Sequence, residues 1–429
     1  MKNTKGITLI ALIITIIIML ILVAVSISVA LNTGLFKSAG DATKNWKSAQ
    51  DAEANVGAEI KIGDKTYSSI EDYLEGKEKL PEGAGKRFAE TKEYNDGTKT
   101  AWIPAGFTVS GIRGETSIDG GLVIYDIPEN EIENVKWDGT EKTKYNQFVW
   151  IPVEVNKTTE PKDTETSIAS FYRSEWANNA RSTNLTESTT YTEPNTTDDK
   201  TGIASQIKNL TKSIYKYGGF YIGRYEAGSE TPRTKGTTER TSIGIKQDMY
   251  PYNHVKWGES MSNIGEVGAV ALSNRLYNSS NYGATSMLCT GACWDSMLDF
   301  IKDEEHNVTN STEWGNYKDS GTYKIYRGSI YSNSAWSLAD VTNGTDIKQN
   351  QTILLTAGAT ERNSAKNIYD VAGNCWEWTT ESISSDRRVV RGGDYGNNGF
   401  TYPAYFRVNS SPDLSSSGLS FRSSLYVNL

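Results

Sequence analysis

Cysteine and histidine are scarce in this 429-residue chain. The three cysteines, Cys289, Cys293 and Cys375, are too few and odd in number for a disulfide framework. Cys289 and Cys293 are one helical turn apart, where a bridge is geometrically awkward and closes only a tiny loop. The two histidines, His254 and His306, lie in unrelated contexts, so a zinc site would lack ligands. These counts argue against a disulfide scaffold and a zinc protein.

Positive charge is also in deficit, because the formal net charge is -8. Nucleic acid and anionic membrane surfaces would repel the soluble part, so neither is an expected partner of that part. Glycine and aromatic residues are abundant, with 38 glycines, 24 tyrosines and 11 tryptophans. This composition predicts many turns, aromatic packing and few long helices.

An apolar segment opens the chain. No charged residue occurs from Gly6 to Phe36, and Ile7 to Val25 is apolar apart from two threonines. That length suffices for a membrane-spanning helix, which we place at residues 7–36 with residues 7–31 contacting the membrane. Two lysines precede it, so the expected topology is a single pass with the C-terminal part extracellular. A secretory signal peptide is the alternative, although no clear Ala-x-Ala cleavage site follows.

The first residues resemble a type IV prepilin leader, in the run Lys5-Gly6-Ile7-Thr8-Leu9-Ile10-Ala11-Leu12. The resemblance implies a leader at residues 1–6, cleavage after Gly6 by a prepilin peptidase, and methylation of Ile7. Type IV pilins usually have a glutamate where this chain has Ala11, and that carboxylate pairs with a neighbouring subunit. Its absence weakens the case for a major filament subunit. A minor pilin in contact with pilus or pseudopilus subunits, or a pilin-like anchor, remains compatible.

Composition divides the rest of the chain. Residues 37–94 are expected to form a stalk and linker, since charged residues, glycine and proline are frequent at 75–86. The head is placed at residues 95–429. Within it, residues 156–200 are rich in Thr, Ser, Asn, Asp and Glu, which predicts a solvated polar insertion rather than core.

Regular elements are predicted where hydrophobic periodicity is clear. Short β-rich runs occupy 101–109, 121–126, 147–153 and 220–226. Residues 203–217 carry apolar side chains at helical spacing and end at two glycines, which predicts a helix. The apolar positions are Ile203, Ile207, Leu210 and Ile214.

The C-terminal region carries the most specific motifs. They are Asn367-Ile368-Tyr369-Asp370-Val371-Ala372-Gly373-Asn374-Cys375-Trp376-Glu377-Trp378, then Arg391-Gly392-Gly393 and Ser420-Phe421-Arg422. Together they resemble the core of the formylglycine-generating enzyme and sulfatase-modifying-factor family. Weaker similarity at 220–226, 251–257 and 291–301 extends the resemblance to roughly residues 100–429. It implies an α+β, C-type-lectin-like fold with short strands and much irregular loop.

The same resemblance bears on chemistry. These enzymes oxidise a client cysteine with cysteines a few residues beyond their Arg-Gly-Gly, where this chain has no cysteine. An active oxidase needs such a thiolate pair for copper or oxygen chemistry, so we expect a protein without this enzymatic activity. Cys375 is expected to fill a buried packing position.

The turn at Gly373-Asn374 suggests one candidate cofactor. In the resembled enzymes this turn and its glutamate help to hold calcium, which would make Asn374 and Glu377 candidate ligands. The alternative is that Glu377 is a surface carboxylate paired with Arg387 or Arg388. Both hypotheses remain open at this point. Trp376 and Trp378 are expected in the core.

The segment after Arg391-Gly392-Gly393 is the candidate recognition surface. Arg391 is expected to hold this segment by structural hydrogen bonds. Rigid aromatics interleaved with small amides supply contact area and adaptable hydrogen bonding at low entropic cost. An ordinary loop whose aromatics turn inward is the alternative. The candidate ligand-binding residues are Asp394, Tyr395, Asn397, Asn398, Phe400, Tyr402, Tyr405 and Asn409.

Three functional hypotheses follow. The first is a membrane-anchored or pilus-associated adhesin, or minor pilin, whose inactive head recognises an extracellular protein or glycan. The second is a retroelement-diversified variable receptor, because the same region holds the mutable residues of lectin-fold variable proteins. That hypothesis requires a near-repeat of the coding segment beside a reverse-transcriptase gene. The third is an active formylglycine-generating oxidase, against which the missing cysteines argue.

Overall fold

A computed structural model of the chain describes residues 13–21, 60–62, 65–68, 72–73, 79–157, 168–185, 190–194, 202–236, 242–258, 268–277 and 282–429. It separates into two compact units, Met1–Leu80 and Pro81–Leu429. The predicted processing residues Gly6 and Ile7 lie outside the described residues, as does most of the predicted 7–36 helix.

The first unit contains a helical stretch at 13–21 and a hairpin of β1 (Ile60–Ile62) and β2 (Lys65–Tyr67). Across the described ranges, no helix has both the length and the apolar content needed to cross a membrane. The membrane-spanning helix therefore stays a prediction.

The second unit is a mixed α+β structure made mostly of short strands and loops. Its helices are α1 (Ile203–Tyr217), α2 (Ala269–Arg275) and α3 (Gly291–Ile301), with 3-10 turns at Ile132–Asn134, Thr140–Thr143 and Glu361–Asn363. Its first strands are β3 (Lys92–Asn95), β4 (Thr100–Ile103), β5 (Thr108–Val109), β6 (Val123–Tyr125), β7 (Gln147–Pro152), β8 (Ser174–Ala177), β9 (Ala180–Asn184), β10 (Gly219–Gly223), β11 (Gly228–Ser229), β12 (Tyr250–Pro251) and β13 (Ala284–Leu288). The later strands are β14 (Tyr323–Ile325), β15 (Ser329–Ser332), β16 (Ala335–Leu338), β17 (Thr345–Ile347), β18 (Leu354–Leu355), β19 (Ser364–Ala365), β20 (Ile368–Tyr369), β21 (Trp376–Ser384), β22 (Arg387–Arg391), β23 (Arg407–Ser410), β24 (Leu419–Phe421) and β25 (Ser423–Val427).

A six-stranded sheet in the order β13-β25-β10-β7-β6-β5 forms the centre of the second unit. All its neighbouring strands pair antiparallel. Because β7 and β10 are buried on both faces, they are nearly continuous apolar runs instead of alternating ones. The last strand of the chain, β25, pairs with both β10 and β13 and so ties the C-terminus into the core.

The helices form where the sequence supplies spacing and caps. Helix α1 has the predicted bounds, and Ile203, Ile207, Leu210 and Ile214 are buried, so this prediction is confirmed. Helix α3 begins after Thr290, whose hydroxyl accepts a hydrogen bond from Cys293 N at 3.0 Å.

A second sheet, in the order β23-β22-β21-β24, carries the C-terminal motifs. Strand β21 pairs antiparallel with β22 and parallel with β24, and β22 pairs with β23. The hairpin of β22 and β23 encloses the segment that follows Arg391-Gly392-Gly393, and its ends are therefore held by a paired sheet.

The predicted solvated insertion at 156–200 needs a correction. Strands β8 and β9 form a hairpin within it, and Trp176 and Arg173 are buried. The indole Nε1 of Trp176 donates to Asp295 Oδ1 at 3.0 Å, and Ser174 N donates to Asp295 Oδ2 at 2.8 Å. The polar composition concealed this hairpin because few residues of the insertion are apolar, yet Ile168, Phe171 and Trp176 pack in the core and Asp295 accepts the hydrogen bonds of the hairpin.

Candidate functional site

The surface loop, defined here as residues 394–409, leaves β22 through two glycines. Gly392 and Gly393 have φ of 92° and 78°, a region that favours glycine. A β-carbon at Gly393 would lie 2.5 Å from Tyr402 O, so no side chain fits there. The Arg391-Gly392-Gly393 motif is therefore required by the close backbone approach that starts the loop.

A buried base of four charged residues lies under this loop. Arg391 Nη2 lies 2.7 Å from Asp295 Oδ1, and Arg391 Nη1 lies 3.1 Å from Glu381 Oε2. Arg407 Nη2 lies 2.5 Å from Asp295 Oδ2, and Arg407 Nε lies 3.1 Å from Glu381 Oε1. The buried base (Asp295, Glu381, Arg391 and Arg407) thus contains two carboxylates and two guanidiniums in reciprocal pairs.

The two negative and two positive charges of the buried base balance one another. Burial alone would raise the pKa of Asp295, but Arg391 and Arg407 lower it to about 2. Arg391 Nη2 also donates to Tyr405 O at 3.0 Å, which fixes the backbone of the surface loop. The prediction that Arg391 holds the loop by structural hydrogen bonds is confirmed.

The predicted ligand-binding residues divide by exposure. Asn398, Phe400 and Asn409 are exposed, and Phe400 has 71% of its surface accessible. Another five are half-buried: Asp394, Tyr395, Asn397, Tyr402 and Tyr405. Seven of the eight lie between β22 and β23, whereas Asn409 lies in β23 opposite Val389, and three of the eight are open to solvent.

The half-buried polar residues shape the loop. Asp394 Oδ1 accepts from Gly396 N at 2.9 Å, and Asn397 Oδ1 accepts from Asp394 N at 3.0 Å. The hydroxyl of Tyr395 lies 3.1 Å from Ser417 Oγ. Burial raises the pKa of Asp394, even though hydrogen bonds from Gly396 and Asn397 lower it. These side chains hold the turn, so the freely presented groups are those of Asn398, Phe400 and Asn409.

An aromatic cluster supports the loop from one side. The ring of Tyr402 is edge-on to Trp376 at 5.7 Å and to Phe406 at 5.2 Å between centroids. Trp378 is fully buried, and its indole donates to Val255 O at 3.1 Å, whereas Trp376 is only half-buried. The core prediction is confirmed for Trp378, while Trp376 packs against the loop.

The turn at Asn374 and Glu377 was the candidate calcium site. Glu377 is fully buried, and its two oxygens accept from Arg422 Nε at 2.9 Å and Arg422 Nη2 at 2.6 Å. It is therefore not a surface carboxylate paired with Arg387 or Arg388, because it is buried and its partner is Arg422.

The side-chain amide of Asn374 also already forms hydrogen bonds with other protein groups. Its Oδ1 accepts from Asn316 Nδ2 at 2.9 Å and from Leu355 N at 3.0 Å, and its Nδ2 donates to Glu226. Asn374 Oδ1 thus already accepts two hydrogen bonds, and both oxygens of Glu377 are paired with Arg422, whose positive charge opposes a cation at this turn. No group of three or more His, Cys, Asp or Glu residues suited to a metal occurs among the described ranges. Calcium binding itself stays a prediction.

A second charged cluster adjoins this turn and is unbalanced. It combines the carboxyls of Glu226, Asp370 and Glu377 with the guanidinium of Arg422. Burial, with Asp370 and Glu377 nearby, raises the pKa of Glu226 well above its usual range. Burial also raises the pKa of Asp370 to about 6. Among the residues that the structure describes, Glu226 Oε2 and Asp370 Oδ1 are buried without a hydrogen-bond partner.

All three cysteines are buried, and none of them forms a disulfide within the described chain. Burial raises the pKa of the Cys289 thiol and of the Cys375 thiol well above the ordinary value, and Glu226 adds to the effect on Cys375. Burial of Cys375 confirms its predicted packing role. Neither thiol is in a state suited to act as a nucleophile.

Several residues of this site were missed from sequence. Asp295, Glu381 and Arg407 were not singled out, although an aspartate within the apolar helix α3 is a recognisable signal. The partners come from elements distant in sequence, such as α3 and β22, and only the folded sheet brings them together.

Residues 89–425 match the sulfatase-modifying factor enzyme 1-like domain family, named FGE-sulfatase. This is more than half of the chain, and the chain belongs to that family. Among solved structures it is similar to Treponema denticola variable protein 1, with 15% identity over 48% of this chain and 84% of that chain, at a TM-score of 0.27. A TM-score this low does not establish a shared architecture. No curated protein matches the chain.

Proposed function

We propose that this member of the sulfatase-modifying factor family is a surface-displayed binding protein and not an oxidase. The observation that carries the proposal is the surface loop. Where the resembled enzymes have cysteines beyond Arg-Gly-Gly, this chain presents Asn398 and Phe400 to solvent, and the exposed Asn409 follows in β23. An exposed phenylalanine beside exposed amides offers contact area and hydrogen bonding to a ligand.

The burial of the three thiols argues against redox chemistry. Oxidation of a client cysteine needs an accessible thiolate, and Cys289, Cys293 and Cys375 are all buried. Moving any of them to the surface would require rearrangement of α3 or of the turn before β21. A binding role needs no such movement.

The buried base, which supports the surface loop, favours a role of that loop in ligand binding. In the buried base, Arg391 just before the loop and Arg407 near its end form ion pairs with Asp295 and Glu381. A loop whose ends are fixed loses less conformational entropy when it binds, which increases affinity. The expected ligand is an extracellular protein or glycan.

Display would come from the N-terminal segment. In this proposal residues 7–31 anchor the chain in the membrane after a prepilin peptidase cleaves behind Gly6, and the head is extracellular. The chain would act as an adhesin or minor pilin, with pilus or pseudopilus subunits as further partners. Mass spectrometry of the mature N-terminus tests this part, since the proposal expects N-methylated Ile7, whereas an intact Met1 would contradict it.

Binding of the purified full chain to arrays of glycans and surface proteins tests the proposed function. The informative variant combines Asn398→Ala with Phe400→Ala, because both side chains are exposed. Val341→Ala is the matched control, since Val341 is 72% exposed and lies outside the loop.

Specific binding that is lost in the double variant and kept in the control is the expected result. Binding that both variants keep would move the site away from the loop. Oxidation of a cysteine-containing peptide by the wild-type chain, without any specific binding, would overturn the proposal in favour of an enzyme.

A further inference from the structure

A polar cleft of about 640 Å³ lies beside the surface loop. None of its lining residues was a candidate site residue from the sequence. One wall is the hairpin of β15 and β16, and the other is the segment from Asp346 to Ile353. Its size lies within the range of roughly 300–1,000 Å³ typical of small-molecule sites.

The cleft and the surface loop are connected through the backbone. Lys318 N donates to Asn397 O at 3.0 Å, and Asn350 N donates to Lys318 O at 2.6 Å. A β-carbon added at Gly396 would lie 3.7 Å from Thr352 Cγ2. The loop turn at Gly396 therefore borders the cleft wall at Thr352.

The hairpin that forms this wall is held by its tight turn, by a third strand and by a small core. Its turn residues Asn333 and Ser334 have φ of 48° and 66°, as in the two-residue turns that match strand twist. Strand β15 pairs on its other side with β18, and Ile330 packs against a small separate core that contains Ile353. A preformed wall of this kind suits binding without rearrangement.

The lining indicates the chemistry of the ligand. Ser332, Asn333, Gln351 and Thr352 each carry a group that both donates and accepts hydrogen bonds. Within the described chain, the side chains of Ser332, Asn333 and Thr352 form no hydrogen bond with other protein groups. Hydroxyl groups of a ligand also donate and accept, so this set matches a polyhydroxylated molecule.

Other ligand classes fit less well. The two charged lining residues, Asp346 and Lys348, have opposite signs, so the cleft does not select an anion or a cation. Protein partners are held mainly by large aromatic or arginine anchors in well-packed pockets. No aromatic residue occurs among the described lining residues.

We propose that the cleft is a carbohydrate subsite, which binds one or more sugar residues of a neutral oligosaccharide that also contacts the surface loop. This inference rests on the proposed binding function and names its ligand class. The sugar hydroxyls are bound by Ser332, Asn333, Gln351 and Thr352, while Phe400 and Asn398 on the loop contact the remainder of the chain of sugars.

Two substitutions each remove a group that is proposed to hydrogen-bond the sugar, and neither disturbs the walls of the cleft. Thr352→Val keeps the shape and removes the hydroxyl, and Asn333→Gly keeps the positive φ of the turn and removes the amide. The matched control is Thr342→Val, an exposed threonine outside the cleft. Unfolding midpoints of all variants establish that each is folded.

The full chain and its variants are applied to an array of neutral and sialylated oligosaccharides, and affinities for the best neutral oligosaccharide are measured by calorimetry. Each cleft substitution is expected to weaken binding about three- to tenfold, the effect of one lost hydrogen bond. The control should bind as the wild type does, and Asn398→Ala with Phe400→Ala should lose binding.

Three results would contradict the proposal in different ways. Oligosaccharide binding that depends on the loop and is unchanged in both cleft variants overturns the cleft subsite but leaves the proposed function intact. Binding of a protein and no saccharide overturns the ligand class. Binding of neither overturns the proposed function, and the subsite with it.

Discussion

The buried base and the surface loop above it differ in how their residues are held. The base contains four charged side chains, all nearly inaccessible and each paired with two partners. The loop exposes Asn398 and Phe400, whose side chains have no such partners within the described chain. The base therefore fixes where the loop starts and ends, while the exposed positions of the loop are free to change with little effect on folding.

The largest expected effect is on stability, from Arg391→Ala. Removing this guanidinium leaves Asp295 and Glu381 buried with only Arg407 as a charged partner in the base. Breaking a buried pair in this way typically costs about 3–5 kcal/mol. Urea denaturation measures the loss, and Arg387→Ala in the same strand, an exposed position, should change stability by less than about 0.5 kcal/mol. A loss below about 1 kcal/mol for Arg391→Ala would mean that the base does not hold the loop.

The second prediction contrasts the balanced base with the unbalanced cluster of Glu226, Asp370, Glu377 and Arg422. Burial raises the pKa of Asp370 to about 6, whereas Arg391 and Arg407 lower that of Asp295 to about 2 against the effect of burial. Between pH of about 4 and 6 the folded state binds the Asp370 proton more tightly than the unfolded state, so this contribution to stability falls as pH rises. The contribution of Asp295 is present above pH of about 4 and is lost as pH falls toward 2.

Asp370→Asn should therefore gain stability relative to the wild type when pH rises from 4.5 to 7, by about 1–3 kcal/mol. Urea denaturation at the two pH values measures the difference. Asp413→Asn, at an exposed position, is the matched control and should show no such change. An unchanged difference between the wild type and Asp370→Asn would indicate that folding does not raise the pKa of Asp370.

A smaller effect is expected from thiol alkylation. Because all three cysteines are buried and burial raises the pKa values of Cys289 and Cys375, iodoacetamide should label the native chain far more slowly than the urea-unfolded chain. Mass spectrometry of the labelled chain measures the rates. Rapid labelling of Cys375 in the native state would reopen an enzymatic role.

The smallest expected effect is that of calcium. Since the oxygens of Asn374 and Glu377 already accept hydrogen bonds, added calcium or a chelator should leave the unfolding midpoint unchanged. A calcium-dependent rise of the midpoint that is absent in Glu377→Gln would restore the calcium site at this turn.

Local periodicity made part of this structure predictable. Helix α1 has four apolar residues at helical spacing and two terminal glycines, and its bounds match the prediction. The tight turn at Gly392-Gly393 and the burial of Trp378 also follow from local signals. Position and composition alone identified the surface loop.

Pairing between distant elements could not be predicted in this way. Glu377 has arginines nearby in sequence, yet its partner is Arg422 on the connection between β24 and β25. Asp295 pairs with arginines from β22 and β23, and the cleft forms only when the β15–β16 hairpin lies against the 346–353 segment. Such contacts depend on topology, which a single sequence does not encode in any local pattern.

The most direct test of the central claim measures ligand affinity and the unfolding midpoint together for the Asn398→Ala, Phe400→Ala double variant. The account predicts an affinity lost by at least about tenfold, with a midpoint equal to that of the wild type. Unchanged affinity at an unchanged midpoint would contradict it, because the exposed loop would then be a connection between two strands and not a recognition surface.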